Sequence, residues 1–319
     1  MPTDFIAGVD IGGTKIAVAL ADSDARIVSH ARFRTRTEAG PHAVIEDAAR
    51  EVERMASEAG ARVSAVGVGC GGPLDRVRGL ILSPPNLPGW DAFPIVSILE
   101  ERLGAPVLLD NDANAAALGE QRHGAGRGLS DIVYMTISTG IGGGLIVNGE
   151  VVHGVSDGAG EFGHMTVLPR GPLCGCGARG CLEALCSGTS IARRARERLA
   201  SGTRSSLADV AGGVEALTAA DVAAAARAGD ALAVEVWDET VEHLAVGVGN
   251  VVVALAPEAV ILGGGVSTAG EQLFEPLRRR VRERVRMLPP EKVNILQAEL
   301  GGDSGIHGAL ILAQLAARA

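Results

Sequence analysis

Short apolar runs separated by polar turns open the chain: FIAGVD, the turn GGTK, KIAVALA, the turn DSDA and RIVSHARF predict three strands in succession. The arrangement returns in the second half as DIVYMTIS, the turn TGIGGG, LIV and VVHG, with Asn148-Gly149 favouring a two-residue type I′ hairpin. The two halves read as repeats. Between them the pattern predicts a helix over about 41–60, a buried strand SAVGVGC, a loop containing SPPNLPGW and a helix near 91–103, then the strand PVLLD and a helix from 112 to about 121. Beyond residue 183 the chain is mostly helical and alanine-rich to Ala256, followed by strand AVIL, a GGG loop, a helix, strand VNILQA and a last helix from Gly305. These proportions make an α/β protein with helices layered on sheets. The most apolar stretch, Leu244 to Val266, contains Gly247, Gly249, Asn250, Pro257 and Glu258, so it reads as a buried helix, a turn and a buried strand rather than a membrane span.

A length of 319 residues exceeds a single hydrophobic core, so two domains with a small-molecule cleft between them are expected. The net charge of -9, with no Lys/Arg cluster beside aromatics, argues against a nucleic-acid partner. Two arginine-rich runs, Arg193 to Leu199 and Arg278 to Arg286, carry glutamates at helical spacing and read as solvated helix faces. The first residues, MPTDFIAGVD, lack a basic stretch followed by an apolar core, so a cytoplasmic protein without a membrane partner is expected. Five cysteines, three of them in one loop, fit a reducing compartment and metal ligation, with Cys70 and Cys186 as small core residues.

The segment EFGHMTVLPRGPLCGCGARGCLE, Glu161 to Glu183, supplies His164, Cys174, Cys176 and Cys181, the donor inventory of a closed tetrahedral zinc site. Gly175, Gly177 and Gly180 are expected to take the left-handed backbone such a loop needs. A rigid knuckle would hold Glu161 and Glu183 as hydrogen-bond acceptors, which suits a polyol. Two strand-to-strand turns, Gly12-Gly13-Thr14-Lys15 and Thr139 to Gly144, combine small residues with a hydroxyl and are expected to bring backbone N–H groups to one phosphate chain. A branched residue at Gly13 is therefore expected to weaken nucleotide binding far more than polyol binding. The third glycine loop, Gly263-Gly264-Gly265, would lie against a base or ribose. Neither the Walker spacing nor a dinucleotide fingerprint is present. Lys15 suits a polyphosphate, and Asp10 an outer-sphere Mg²⁺ anchor. Asp112, at the start of a predicted helix, has its anionic form favoured and can accept a proton from an alcohol; on that segment alone a plain N-cap remains the alternative.

DIGGTK, SPPNLPGW, DNDANAAALGE, STGIGGG, EFGH, CGCGARGCLE and ILGGGVS together make the chain resemble the ROK family of sugar kinases and repressors, closest to its bacterial glucokinases, over essentially its whole length. The resemblance implies a duplicated ribonuclease H-like fold of the actin/hexokinase/Hsp70 type. It places 1–121 plus 303–319 in a smaller N-terminal domain and 122–302 in a larger one bearing the knuckle. Glucose and ATP with Mg²⁺ would meet in the cleft, with Asp112 as general base and Gly72, Asn86, Asn111, Asp112, Glu161, His164 and Glu183 on the sugar. Asp10, Gly12, Gly13, Thr14, Lys15, Ser138, Thr139, Gly140, Gly264 and Gly265 would contact the nucleotide, and His164 would also ligate zinc. A homodimer or homotetramer is expected. One departure is CGGPLD, where many such glucokinases have a threonine-proline-glycine run; Gly72 still lets a sugar approach, but pocket shape there is altered. N-acetylglucosamine or N-acetylmannosamine is the alternative substrate. Only nine residues precede Asp10, which disfavours the family's repressors with their leading helix-turn-helix.

Overall fold

The computed structural model describes residues 3–318; Met1, Pro2 and Ala319, at the ends of the expected first domain, lie outside the described residues. In chain order the first elements are β1 (Thr3–Ile11), β2 (Lys15–Ala21), β3 (Ile27–Arg34), α1 (Pro41–Glu58), β4 (Ala61–Cys70), β5 (Leu74–Asp75), β6 (Leu80–Ile81), α2 (Ile95–Leu103), β7 (Val107–Asn111) and α3 (Asp112–His123). There follow β8 (Ile132–Ile137), β9 (Ile141–Val147), β10 (Glu150–Val151), α4 (Leu182–Cys186), α5 (Gly188–Ala200), α6 (Ala219–Arg227), α7 (Ala231–Leu255), β11 (Ala259–Gly263), α8 (Glu271–Arg284), β12 (Ile295–Gln297) and α9 (Ser304–Ala316).

Two five-stranded sheets form, ordered β3-β2-β1-β4-β7 and β10-β9-β8-β11-β12. Each order is the same permutation of its own strands, with antiparallel pairing on the hairpin side (β3-β2-β1 and β10-β9) and parallel pairing in β1-β4-β7 and β8-β11-β12. The repeat expected from the apolar pattern is thus a duplicated fold. Strand β1 owes its central place to Ile6, Ala7, Val9 and Ile11, which are buried, as parallel pairing covered on both faces requires. Helix α1 packs on β1, β2 and β4, and α9 packs on α3, β1 and β4. Asn148 and Gly149 both have positive φ, the geometry of the expected type I′ turn between β9 and β10.

The chain divides into two compact units, Met1–Gly128 with Gly144–Ala159 and Gly302–Ala319, and Leu129–Gly143 with Gly160–Gly301. Residues 144–159 cluster with the first unit, although the sequence-based division assigns them to the second domain; Gly144 packs on α3, where a Cβ would lie 2.8 Å from the Ala113 carbonyl oxygen. None of the described helices is long and apolar enough to cross a membrane.

Two local expectations need correction. The arginine runs are not simply solvated. Buried Arg194 on α5 pairs with Glu239 at 2.8 Å and reaches Thr240, while Arg280 and Arg284 on α8 pair with Asp238 and Glu242. The acidic partners all lie on α7, so these arginines cross-link α5 and α8 to it. The segment TGIGGG is not one open turn either: β9 begins at Ile141, and a Cβ at Gly143 would lie 2.6 Å from the Gly160 carbonyl oxygen. That glycine permits close packing in a strand.

Candidate active site

In the first unit, β7 delivers Asp110 and Asn111 to the start of α3. Asn111 is the N-cap, its side-chain oxygen accepting from Ala113 N at 2.9 Å. Capping is therefore done by Asn111, and Asp112 occupies the first helical position, where its Oδ1 also accepts from Ala113 N at 2.8 Å. A carboxylate so placed is oriented by an amide and favoured as an anion by the helix terminus. Gly72 adjoins Asn111: a Cβ there would stand 3.3 Å from Asn111 Nδ2. Asn86 is exposed on the SPPNLPGW loop, which is tied down by buried Leu87 and Trp90 and closed by Ser83 N donating to the Trp90 carbonyl at 3.1 Å.

The first glycine turn differs from the anion cradle expected of it. Gly12 N donates to the Lys15 carbonyl at 3.0 Å, so that amide is engaged within the turn. A Cβ at Gly13 would sit 2.6 Å from the Asn86 carbonyl oxygen and 2.9 Å from Asn86 Cβ. Gly13 is small because Asn86 is close. We accordingly expect Gly13→Val to displace the Asn86 loop and raise the KM for the sugar as well as for the nucleotide, by tenfold or more, since misplacement by about 1 Å costs roughly 10²-fold; steady-state kinetics in both substrates checks it. Thr14 and Lys15 are exposed beside this turn. Asp10 lies at the N-terminus of α9, where a Cβ on Gly305 would be 2.6 Å from its Oδ2. Desolvation, then the charge of Asp112, raises its pKa to about 7 against the opposing Lys15 and Arg32.

In the second unit the turn Ser138–Gly140, the EFGH turn and the cysteine loop pack as one assembly. Glu183, in the first turn of α4, is its hub: Oε2 accepts from Ile141 N at 2.8 Å and fills the space a Cβ on Gly140 would need, and Oε1 lies 3.9 Å from Cys174 Sγ. The turn is clamped from α5, with Gly188 N donating to the Ser138 carbonyl at 2.7 Å and the Thr189 hydroxyl to the Thr139 carbonyl at 2.7 Å. Gly163 of EFGH rests on Ile141, whose carbonyl oxygen would collide with any Cβ. Ser138 and Thr139 are exposed; Gly264, with φ 83, is pressed against the end of β8 at Ile137, and Gly265 is exposed. A groove of about 170 Å³ adjoins Gly265, lined by Ala219, Ala223, Arg227 and Trp237.

His164, Cys174, Cys176 and Cys181 bring four donor atoms within 4.8 Å of one another. Cys174 Sγ to His164 Nδ1 is 3.6 Å and Cys176 Sγ to Cys181 Sγ is 3.7 Å. A tetrahedral ion with metal–sulfur bonds of about 2.3 Å and metal–nitrogen bonds of about 2.0–2.1 Å sets these separations at about 3.6 and 3.8 Å, so the donor set fits a metal ion of that size. Burial pushes the Cys174 thiol up and the Cys181 thiol up to about 12, whereas a backbone N–H from Ala178 lowers Cys176; a metal here would displace thiol protons. Gly177 and Gly180 have φ of 90 and 71, but Gly175 is absent from the positive-φ glycines, which corrects the expectation of three left-handed positions. Glu161 is 61% exposed, with its carboxylate 3.8 Å from His164 Nε2, so the loop holds Glu183 firmly and Glu161 loosely.

The ROK family model matches residues 6–316. The chain belongs to the ROK family. It is 40% identical over 310 residues to the glucokinase of Thermotoga maritima, covering 97% of each chain. Among solved structures it is similar to a ROK hexokinase from Thermus thermophilus (TM-score 0.85, 38% identity, 98% and 99% covered). A ROK family glucokinase from Streptomyces griseus in complex with glucose and AMPPNP is also similar, with TM-score 0.82, 36% identity and the same coverage.

Two features of this ROK chain escape a reading of its motifs. One is Glu183 as a backbone clamp, which no local pattern signals because Ile141 lies 42 positions away. The other is buried Asp110, whose Oδ1 accepts from Asn111 N at 2.7 Å and Asn114 Nδ2 at 2.9 Å and whose Oδ2 is 2.8 Å from His153 Nε2. The first aspartate of DNDANA was the available signal.

Proposed function

We propose that the chain transfers the γ-phosphoryl group of ATP to the 6-hydroxyl of glucose. The observation that carries this reading is near-full-length identity to glucokinases of the same family, at 40% for the Thermotoga maritima enzyme. Asp112, oriented by Ala113 N at the start of α3, takes the hydroxyl proton as the bond to phosphorus forms. Asn86, Asn111, Glu161, His164 and Glu183 hydrogen-bond the sugar hydroxyls, with Gly72 leaving room beside Asn111. Asp10, Gly12, Gly13, Thr14 and Lys15, together with Ser138, Thr139, Gly140, Gly264 and Gly265, serve the nucleotide. Since the Gly12, Ser138 and Ile141 amides are engaged internally, the hydroxyls of Thr14, Ser138 and Thr139 and the charge of Lys15 carry more of that task than a pure amide cradle would. Mg²⁺ would supply charge neutralisation to the ATP phosphates, with Asp10 as the residue to anchor its outer sphere.

Zinc is the ion we assign to His164, Cys174, Cys176 and Cys181. It would close the loop structurally and fix the His164 ring through Nδ1, leaving Nε2 directed toward Glu161. What supports this is the match of the separations above to tetrahedral geometry.

The departure at CGGPLD makes substrate preference the sharpest test. We expect kcat/KM for glucose to exceed those for N-acetylmannosamine and N-acetylglucosamine by roughly tenfold or more, the discrimination a pocket achieves against a bulkier isostere. A coupled assay of ADP release over the three sugars checks it, and a preference for either N-acetylhexosamine would reassign the substrate within the same reaction.

A further inference from the structure

We propose that His153 is a positioning residue for the sugar site, acting through Asp110; the inference rests on the hexose-kinase reading above. Asp110 is 3% exposed, and its carboxylate can only accept when ionised. With Asn111 N and Asn114 Nδ2 on Oδ1, the remaining oxygen at 2.8 Å from His153 Nε2 makes that ring nitrogen the donor. The three bonds fix the end of β7 and the first turn of α3, and so the orientation of Asn111 and Asp112.

His153 also secures a loop. Its carbonyl accepts from Ala159 N at 2.9 Å, and four residues along the loop Asp157 accepts from Arg76 N at 3.0 Å. Ser156 and Asp157, both at φ 54, hold left-handed backbone that non-glycine residues rarely adopt, a conformation that persists only where surrounding contacts determine it. Both anchors lie in the first unit, and seven residues separate His153 from Glu161 in the sequence. One imidazole therefore fastens the turn bearing Asp112 and the segment that leads into EFGH. A buried carboxylate deprived of one of its donors is left with an unsatisfied oxygen, and regaining a partner moves the turn it braces through Asn111 N and Asn114 Nδ2.

The test compares His153→Phe, which keeps the ring volume without the donor, with His153→Gln, whose amide can still donate. On whichever hexose the wild-type protein phosphorylates, His153→Phe should lower kcat/KM by roughly 10- to 100-fold, through both a higher sugar KM and a lower kcat, as expected for small misplacement of reacting groups. His153→Gln should recover most of the loss, and the metal content of both should match wild type. Equal activity of all three proteins overturns the inference. So does an equal loss in both variants, with or without a fall in melting temperature, since packing alone would then explain it. A wild-type protein inactive on all hexoses would instead refute the kinase reading, separately from the behaviour of the variants in glucose binding by calorimetry.

Discussion

Asp112→Asn is expected to lower kcat on glucose by about 10²–10⁴, the contribution of a positioned general base, while the Kd for glucose stays within about tenfold. The asymmetry follows from the local structure. Asn111 caps α3, so removing the charge at the next position does not undo the helix, and an asparagine oxygen can keep the bond from Ala113 N at 2.8 Å. Only the charge of the proposed proton acceptor is lost. Rapid-quench turnover alongside calorimetric glucose titration separates the two quantities, and a mutant with near-normal turnover would exclude Asp112 as the base.

Cys176→Ser should strip the metal and most of the activity. Wild-type protein is expected to hold about one zinc per chain. Loss of a ligand should cost at least the roughly 10–100-fold in metal affinity that follows from disturbing an outer-shell partner. The consequence extends past the cysteines because Glu183 touches both the loop, through Cys174 at 3.9 Å, and the turn Ser138–Gly140, through Ile141 N at 2.8 Å. A disordered loop releases Glu183, and with it the turn assigned to the nucleotide. The KM for ATP should therefore rise together with that for glucose. Metal analysis by mass spectrometry and two-substrate kinetics check this; a metal-free Cys176→Ser protein of full activity would show that the loop has no part in the site.

Motifs with a local physical cause were legible in the sequence. Alternating apolar runs and the Asn148-Gly149 pair gave the repeated hairpins, and four donors in eighteen positions gave the loop in which His164, Cys174, Cys176 and Cys181 converge. What stayed hidden were contacts between residues far apart in the chain. Glycine-rich segments carry the same letters whether a glycine exposes an amide to an anion or admits a neighbour, and here Gly13 admits Asn86 while Gly143 admits the Gly160 carbonyl. The bond from His153 to Asp110 spans 43 positions, and the helix-face reading, which holds for the exposed pairs Arg193–Glu197 and Arg279–Glu283, misses Arg194, Arg280 and Arg284 because their carboxylates on α7 lie 42 to 45 positions away. Short-range spacing cannot report pairings of that kind.

The central claim is phosphoryl transfer from ATP to the glucose 6-hydroxyl, and phosphorus NMR of the reaction mixture tests it most directly. Purified protein with Mg²⁺, ATP and glucose should give ADP and a single sugar phosphate in equal amounts, with the new phosphate on C6 and formed about 10²–10⁴-fold more slowly by Asp112→Asn. Release of inorganic phosphate without a sugar ester, or esterification at another hydroxyl, would contradict the account.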